Sequence, residues 1–156
     1  MSAHSARIEW RSDGGFASGR YSRQHEWRFD GGAVVTASSS PDVVPVPMSD
    51  PAGVDPEEAL VASVSSCHML WFLSLAQAAG LDIESYVDEA EGEMGRIAPG
   101  RQALVRITLR PDIVFAGDAP AADRVAALHE QAHARCFIAN SVKTECLIDG
   151  KPLSGP

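Results

Sequence analysis

The segment from Asp55 to Gly80 constrains the fold more than any other part of the chain. Asp55 is a good helix N-cap and Pro56 suits the first helical position. Glu57 and Glu58 place negative charge at the helix's positive end. From there to Ala79 the sequence predicts one long helix, stopped by Gly80 at the C′ position. Its apolar residues lie almost all round: Ala59, Leu60, Val61, Ala62, Val64, Met69, Leu70, Trp71, Phe72, Leu73 and Leu75. Such a helix has no solvated face of its own, so it belongs at the centre of the protein or of a dimer. It is not expected to span a bilayer, because no run of about 18 consecutive apolar residues exists and no membrane partner is implied.

Strands surround this helix. Ile8-Glu9-Trp10 reads as a first strand, closed by Asp13-Gly14-Gly15. Tyr21 to Phe29 alternates partly, and Asp30-Gly31-Gly32 is a hairpin signal leading to the return strand Ala33 to Ala37. Residues 38–55, with prolines at 41, 45, 47 and 51, read as a loop long enough to be functional or docked on a partner. After the helix come two long strands, Asp82 to Met94 and Gln102 to Val114, hinged near Pro99-Gly100. Asp118 to Arg135 reads as a second helix, Cys136 to Ser141 as a short helix or turn, and Val142 to Ile148 as a last strand. The order β-β-β-α-β-β-α-β, dominated by hairpins, makes the fold class α+β, with 156 residues forming a single domain.

Lys plus Arg number 13 against 21 Asp plus Glu, a net charge of −8. That argues against a nucleic-acid partner and against an anionic membrane surface. The N-terminus lacks the apolar stretch of a secretion signal, and an odd count of three cysteines is not a disulfide framework. A cytoplasmic, reducing location is expected.

Two cysteines stand in chemically suggestive settings. Cys67, in Ser65-Ser66-Cys67-His68, sits on the apolar helix, although free cysteine is also a common core residue. Cys136 follows His133-Ala134-Arg135 at a helix end, with Asn140 and Ser141 able to cap a new turn; such a setting lowers thiol pKa values. They are candidates for a nucleophile and its resolving partner, and the sequence leaves open whether they meet. Cys146 alternates as a strand residue and is expected in the core. His129-Glu130-Gln131-Ala132-His133 matches the zinc-hydrolase pattern H-E-x-x-H. Its extended form fails, with Cys136 and Ala139 where a glycine and a third histidine would stand, which leaves zinc hydrolysis through His129 and His133 a remote alternative.

Pro56-Glu57-Glu58 followed by Ser65-Ser66-Cys67 resembles the OsmC/Ohr family of thiol peroxidases. There a Pro-Glu pair opens the central helix and the reactive cysteine follows the glutamate by ten positions, the spacing of Glu57 and Cys67 here. Cys136-Phe137-Ile138-Ala139-Asn140-Ser141 stands where the family has its second cysteine, with Phe137 in place of the usual proline. The resemblance covers most of the chain and points to a divergent OsmC-like branch. It implies an intertwined homodimer in which Cys67 attacks an organic hydroperoxide, Cys136 resolves the sulfenic acid, and an external thiol or lipoyl dithiol reductant regenerates the pair. No metal or organic cofactor is implied. The family's activating arginine comes from the N-terminal strands; Arg23 is the first choice and Arg20 the second, with Glu57 to hold it in place. Ten helical residues rise about 15 Å, so Glu57 cannot touch Cys67 along one straight helix. The alternative within the same fold is a non-catalytic small-molecule-binding or redox-sensing protein.

Overall fold

The turn Asp30-Gly31-Gly32 makes the tight reversal its glycines predict. Gly32 sits at φ 88°, a region that L side chains rarely adopt, and the Phe29 N–H donates to the Ala33 carbonyl at 3.0 Å. It joins β2 (His25–Phe29) to β3 (Val34–Ala37), and β1 (Ala6–Glu9) pairs antiparallel with the other edge of β2, setting Ile8 opposite Trp27. This three-stranded sheet lies in the first of two compact units, which meet in sequence between Ala59 and Leu60; the computed structural model describes residues 2–153.

The long loop is tied down by its own polar groups. Ser38 is fully buried; its N–H donates to the Val54 carbonyl at 3.0 Å and its hydroxyl accepts from the Asp50 N–H at 2.9 Å. Gly53 runs so close to β3 that a Cβ there would lie 3.0 Å from the Ala37 carbonyl carbon. The loop ends in a reciprocal cap: the Glu58 N–H donates to Asp55 Oδ1 at 2.7 Å, and the Asp55 N–H donates to Glu58 Oε2 at 3.1 Å.

That cap opens helix α1 (Pro56–Ala78) as expected. Gly80, at φ 74°, closes it with a Schellman pair: Gly80 N–H to the Gln77 carbonyl and Leu81 N–H to the Ala76 carbonyl, both 3.0 Å. Four α1 residues are buried, Val64, His68, Phe72 and Ala76, one per turn along a single stripe. Leu70, on the other side, is exposed. The all-round burial expected from composition is therefore not reached within one chain. By length and composition α1 is also apolar enough to cross a bilayer, because serines and a histidine interrupt its apolar run without adding fixed charge. Core helices of globular proteins meet the same criterion, and the buried stripe of α1 packs on a sheet and a second helix.

In the second unit each of the two long predicted strands divides. The chain forms β4 (Ile83–Asp88), β5 (Glu91–Ala98), β6 (Arg101–Leu109) and β7 (Pro111–Phe115). β4 pairs with β7, while β5 pairs with β6. Asp88 marks the division: its carboxylate accepts from the Arg110 N–H at 2.6 Å and from the Ser65 hydroxyl, side-chain bonds that stand in for ladder bonds. Helix α2 spans Ala122–Arg135, four residues later than expected, because Pro120 turns the preceding residue away from helical geometry. β8 (Glu145–Ile148) pairs parallel to β6, and β9 (Lys151–Pro152) closes the edge antiparallel to β8.

The stripe of α1 divides between two clusters. Val64 packs with Ile107 and Leu109 of β6 and Cys146 of β8. Phe72 and Ala76 pack with Leu128 and Ala132 of α2. Fully burying each large member, such as Phe72, Ile107 or Leu109, contributes about 1.5–3 kcal/mol. The seam between α1 and α2 is where the candidate site lies.

Candidate functional site

Cys67 is partly exposed on α1, and Cys136 is fully buried directly after α2. The local sequence explains how Cys136 is held. It ends α2 in an extended conformation, φ −65° and ψ 112°, with its N–H on the His133 carbonyl at 3.1 Å. A 3₁₀ turn, Ala139–Ser141, then folds the chain back. Asn140 and Ser141, expected to cap this turn, lie within it instead; its N-cap is Ile138, and their side chains bond back to preceding carbonyls. The Asn140 backbone N–H and Nδ2 both donate to the Cys136 carbonyl at 3.0 Å, and the Ser141 hydroxyl donates to the Phe137 carbonyl at 2.7 Å. The Ala139 N–H donates to Cys136 Sγ at 3.4 Å.

The structure brings the two thiols together: Cys67 lies close enough to Cys136 to raise the proton affinity of its thiol. Burial pushes the Cys136 thiol up to about 11; the Ala139 N–H opposes it, and the neighbouring Cys67 adds a smaller upward push. Cys136 therefore keeps its proton at neutral pH. Both thiols are free.

An aromatic and cationic rim borders the pair. Trp71 lies one turn beyond Cys67 on α1, and its ring meets Phe137 edge-on at 5.6 Å between centroids. The Arg135 guanidinium lies 5.7 Å from the centre of the same Trp71 ring. Phe137 is exposed, so this rim opens to solvent.

Behind the thiols, His68 Nε2 and His129 Nδ1 are 2.9 Å apart and share a hydrogen bond. Their rings stack at 5.2 Å, and His129 stacks on Phe72 at 4.3 Å. Burial lowers both imidazoles, His68 to about 3 and His129 to about 4, with mutual repulsion adding to the shift of His68; burial also lowers His133. This arrangement gives the zinc alternative no third ligand among the described residues. His129 and His133 lie on the buried face of α2, His129 spends Nδ1 on another histidine, and among the described residues no group of three His, Cys, Asp or Glu is placed to hold a metal. The pairing of His68 with His129 escaped the sequence reading. Its signal is the four-residue spacing that puts His68 on the buried stripe between Val64 and Phe72.

Cys146 lies in the sheet core, where burial raises its thiol. Arg23 precedes β2, where its Nη1 donates to the Tyr21 carbonyl at 2.5 Å and its guanidinium stacks 3.6 Å over the Tyr21 ring. Arg20 is exposed, with its N–H on the Gly15 carbonyl at 3.1 Å. Glu57 lies in the first turn of α1, on the same unbroken helix as Cys67.

Fold and site together define a class: an α+β protein in which two free thiols meet across a helix seam, beside an open aromatic rim. The chain belongs to the OsmC-like family, whose family model, described as OsmC-like protein, matches residues 49–150. It is similar to a solved OsmC-like protein of unknown function from Vibrio cholerae, with 48% identity over 95% of this chain and 98% of that one and a TM-score of 0.91. Its fold is also that of organic hydroperoxide resistance proteins from Legionella pneumophila and Elizabethkingia anophelis. The first has 13% identity, TM-score 0.70 and coverage of 95% and 94%. The second has 17% identity, TM-score 0.69 and coverage of 95% and 93%. No curated protein matches the chain.

Proposed function

We propose that this protein is a cysteine-based thiol peroxidase that reduces organic hydroperoxides. The observation that carries the reading is the placement of Cys67 beside Cys136 in an OsmC-family fold. The roles follow from exposure and proton affinity. Cys67 is the more accessible cysteine, whereas Cys136 is buried and protonated. The Cys67 thiolate attacks the distal oxygen of the hydroperoxide; the O–O bond breaks, the sulfur becomes a sulfenic acid, and the alcohol leaves with a proton. The Cys136 thiol then attacks the Cys67 sulfur, forming the disulfide and releasing water. An external dithiol reduces the disulfide by exchange, and both electrons come from thiols without a metal or organic cofactor. Trp71 and Phe137 suit the apolar body of an organic hydroperoxide. The positive charge that favours the thiolate is assigned to Arg23, with Arg20 as the second choice and Glu57 as the carboxylate that holds it.

The protein acts as a homodimer in this reading. The support is α1 itself, an apolar helix with four buried residues and an exposed Leu70. Sedimentation of the purified protein tests this: a monomer at micromolar concentration would overturn it.

The reaction is tested by intact mass after one equivalent of cumene hydroperoxide, followed by peptide mapping. A loss of two hydrogens mapping to Cys67 and Cys136 is expected. No change, or slow oxidation scattered over all three cysteines, would overturn the peroxidase and leave a non-catalytic binding or sensing protein.

A further inference from the structure

We propose that the buried His68–His129 pair is a register lock that positions Cys67 and Cys136 for disulfide formation. The inference rests on the reading that these thiols close to a disulfide. Along the seam, α1 contributes Phe72 and Ala76 and α2 contributes Leu128 and Ala132. Apolar contacts of this kind are non-directional and tolerate sliding or rotation of one helix on the other. The histidine pair does not tolerate it, because a 2.9 Å hydrogen bond between two ring nitrogens closes in one register only.

The pair is placed where register matters. His68 is the residue after Cys67 on α1. His129 and Cys136 are seven positions apart, two turns of α2, so they share one side of that helix. A slip of α2 along α1 therefore parts the thiols and the imidazoles together. Phe72 fixes the His129 ring by stacking at 4.3 Å, leaving the Nδ1 direction determined.

The pair is also costly, which argues for a specific role. His68 is 1% exposed, and its Nδ1 has no hydrogen-bond partner. Two apolar side chains of similar size would fill the space without that unmet polar atom. A buried polar contact that stabilises less than its apolar replacement is known to specify register. His68 and His129 are thus positioning residues, acting on the thiols through the helices that carry them.

The test measures the Cys67–Cys136 disulfide by equilibration with dithiothreitol redox buffers, together with thermal unfolding of the reduced protein. The variants are His68→Leu with His129→Leu, and His129→Asn, whose amide can replace Nδ1 in the hydrogen bond. The double variant is expected to melt at or above the wild-type temperature while its disulfide equilibrium weakens at least tenfold, about 30 mV for two electrons. His129→Asn is expected to stay within threefold of wild type. A double variant that folds and keeps the wild-type equilibrium overturns the lock. If it does not fold, His129→Asn decides: an equilibrium weakened tenfold with an unchanged melting temperature overturns the hydrogen-bond explanation, and retention supports it. A wild-type protein that never forms the disulfide instead overturns the underlying peroxidase reading.

Discussion

Cys136 and Cys146 are both buried, and burial pushes both thiols upward, yet their surroundings differ in kind. Cys146 stands opposite Ile107 in the parallel pairing of β8 with β6 and packs among Val64, Ile107 and Leu109. Its neighbours are hydrocarbon, and its S–H reaches only the Thr144 carbonyl at 3.8 Å. Cys136 ends a helix, accepts the Ala139 N–H, and faces a second sulfur that is partly open to solvent. Burial therefore does not by itself distinguish the two cysteines; the second sulfur and its access to solvent do.

The largest test of that contrast is deletion of the sulfurs. Cys67→Ser is expected to lose hydroperoxide turnover by at least ~10³-fold, whereas Cys146→Ser stays within about twofold of wild type in a peroxide-consumption assay. Comparable losses in the two variants would erase the distinction. Cys136→Ser sharpens it: turnover falls, and dimedone traps a sulfenic acid on Cys67 by mass spectrometry. An untrapped Cys67 would remove Cys136 from the resolving role.

Alkylation probes the same contrast without substitution. A thiol near 11 is about one part in a thousand thiolate at pH 8. Iodoacetamide at that pH should label Cys67 well before Cys136 or Cys146, and Cys136 labelling should rise about tenfold per pH unit up to that value. In the hydrocarbon core the expected consequence is to stability rather than chemistry. Ile107→Ala should cost about 2–5 kcal/mol in urea unfolding while leaving the Cys67–Cys136 disulfide able to form.

The smallest predicted effect concerns pH. His68 and His129 hold folded pKa values of about 3 and about 4, below the ordinary 6.5. The unfolded chain then binds more protons between those values, so stability is fully present above about 6.5 and declines as pH falls toward 3. The His68→Leu, His129→Leu double variant should show a shallower fall in melting temperature from pH 7 to pH 4.5. An identical slope would mean the pair is not what titrates.

Much of this was readable where the signal is local. Asp55-Pro56 and Gly80 mark both ends of α1 because caps are made by the residues themselves, and Asn140 and Ser141 announce the turn that seats Cys136. The break between β4 and β5 was not readable, because it depends on Asp88 reaching Ser65 and Arg110, both more than 20 positions away. The late start of α2 did have a local signal in Pro120. The meeting of the thiols came only from family resemblance, since no local pattern brings together residues on two separate helices. The histidine pair, 61 positions apart, had none beyond the apolar stripe, and half of it fell within the H-E-x-x-H pattern.

The parallel pairing of β8 with β6 has a kinetic consequence. The other strand pairs are antiparallel, and most join neighbours in sequence, so they can zip early. The β6–β8 pair must wait until the intervening chain, with all of α2, has returned to the sheet. Cys136 lies inside that returning segment. A chain that has completed its hairpins has not yet brought Cys136 beside Cys67, so that pairing is expected among the last steps of maturation. An incompletely folded molecule then exposes Cys67 without Cys136 beside it.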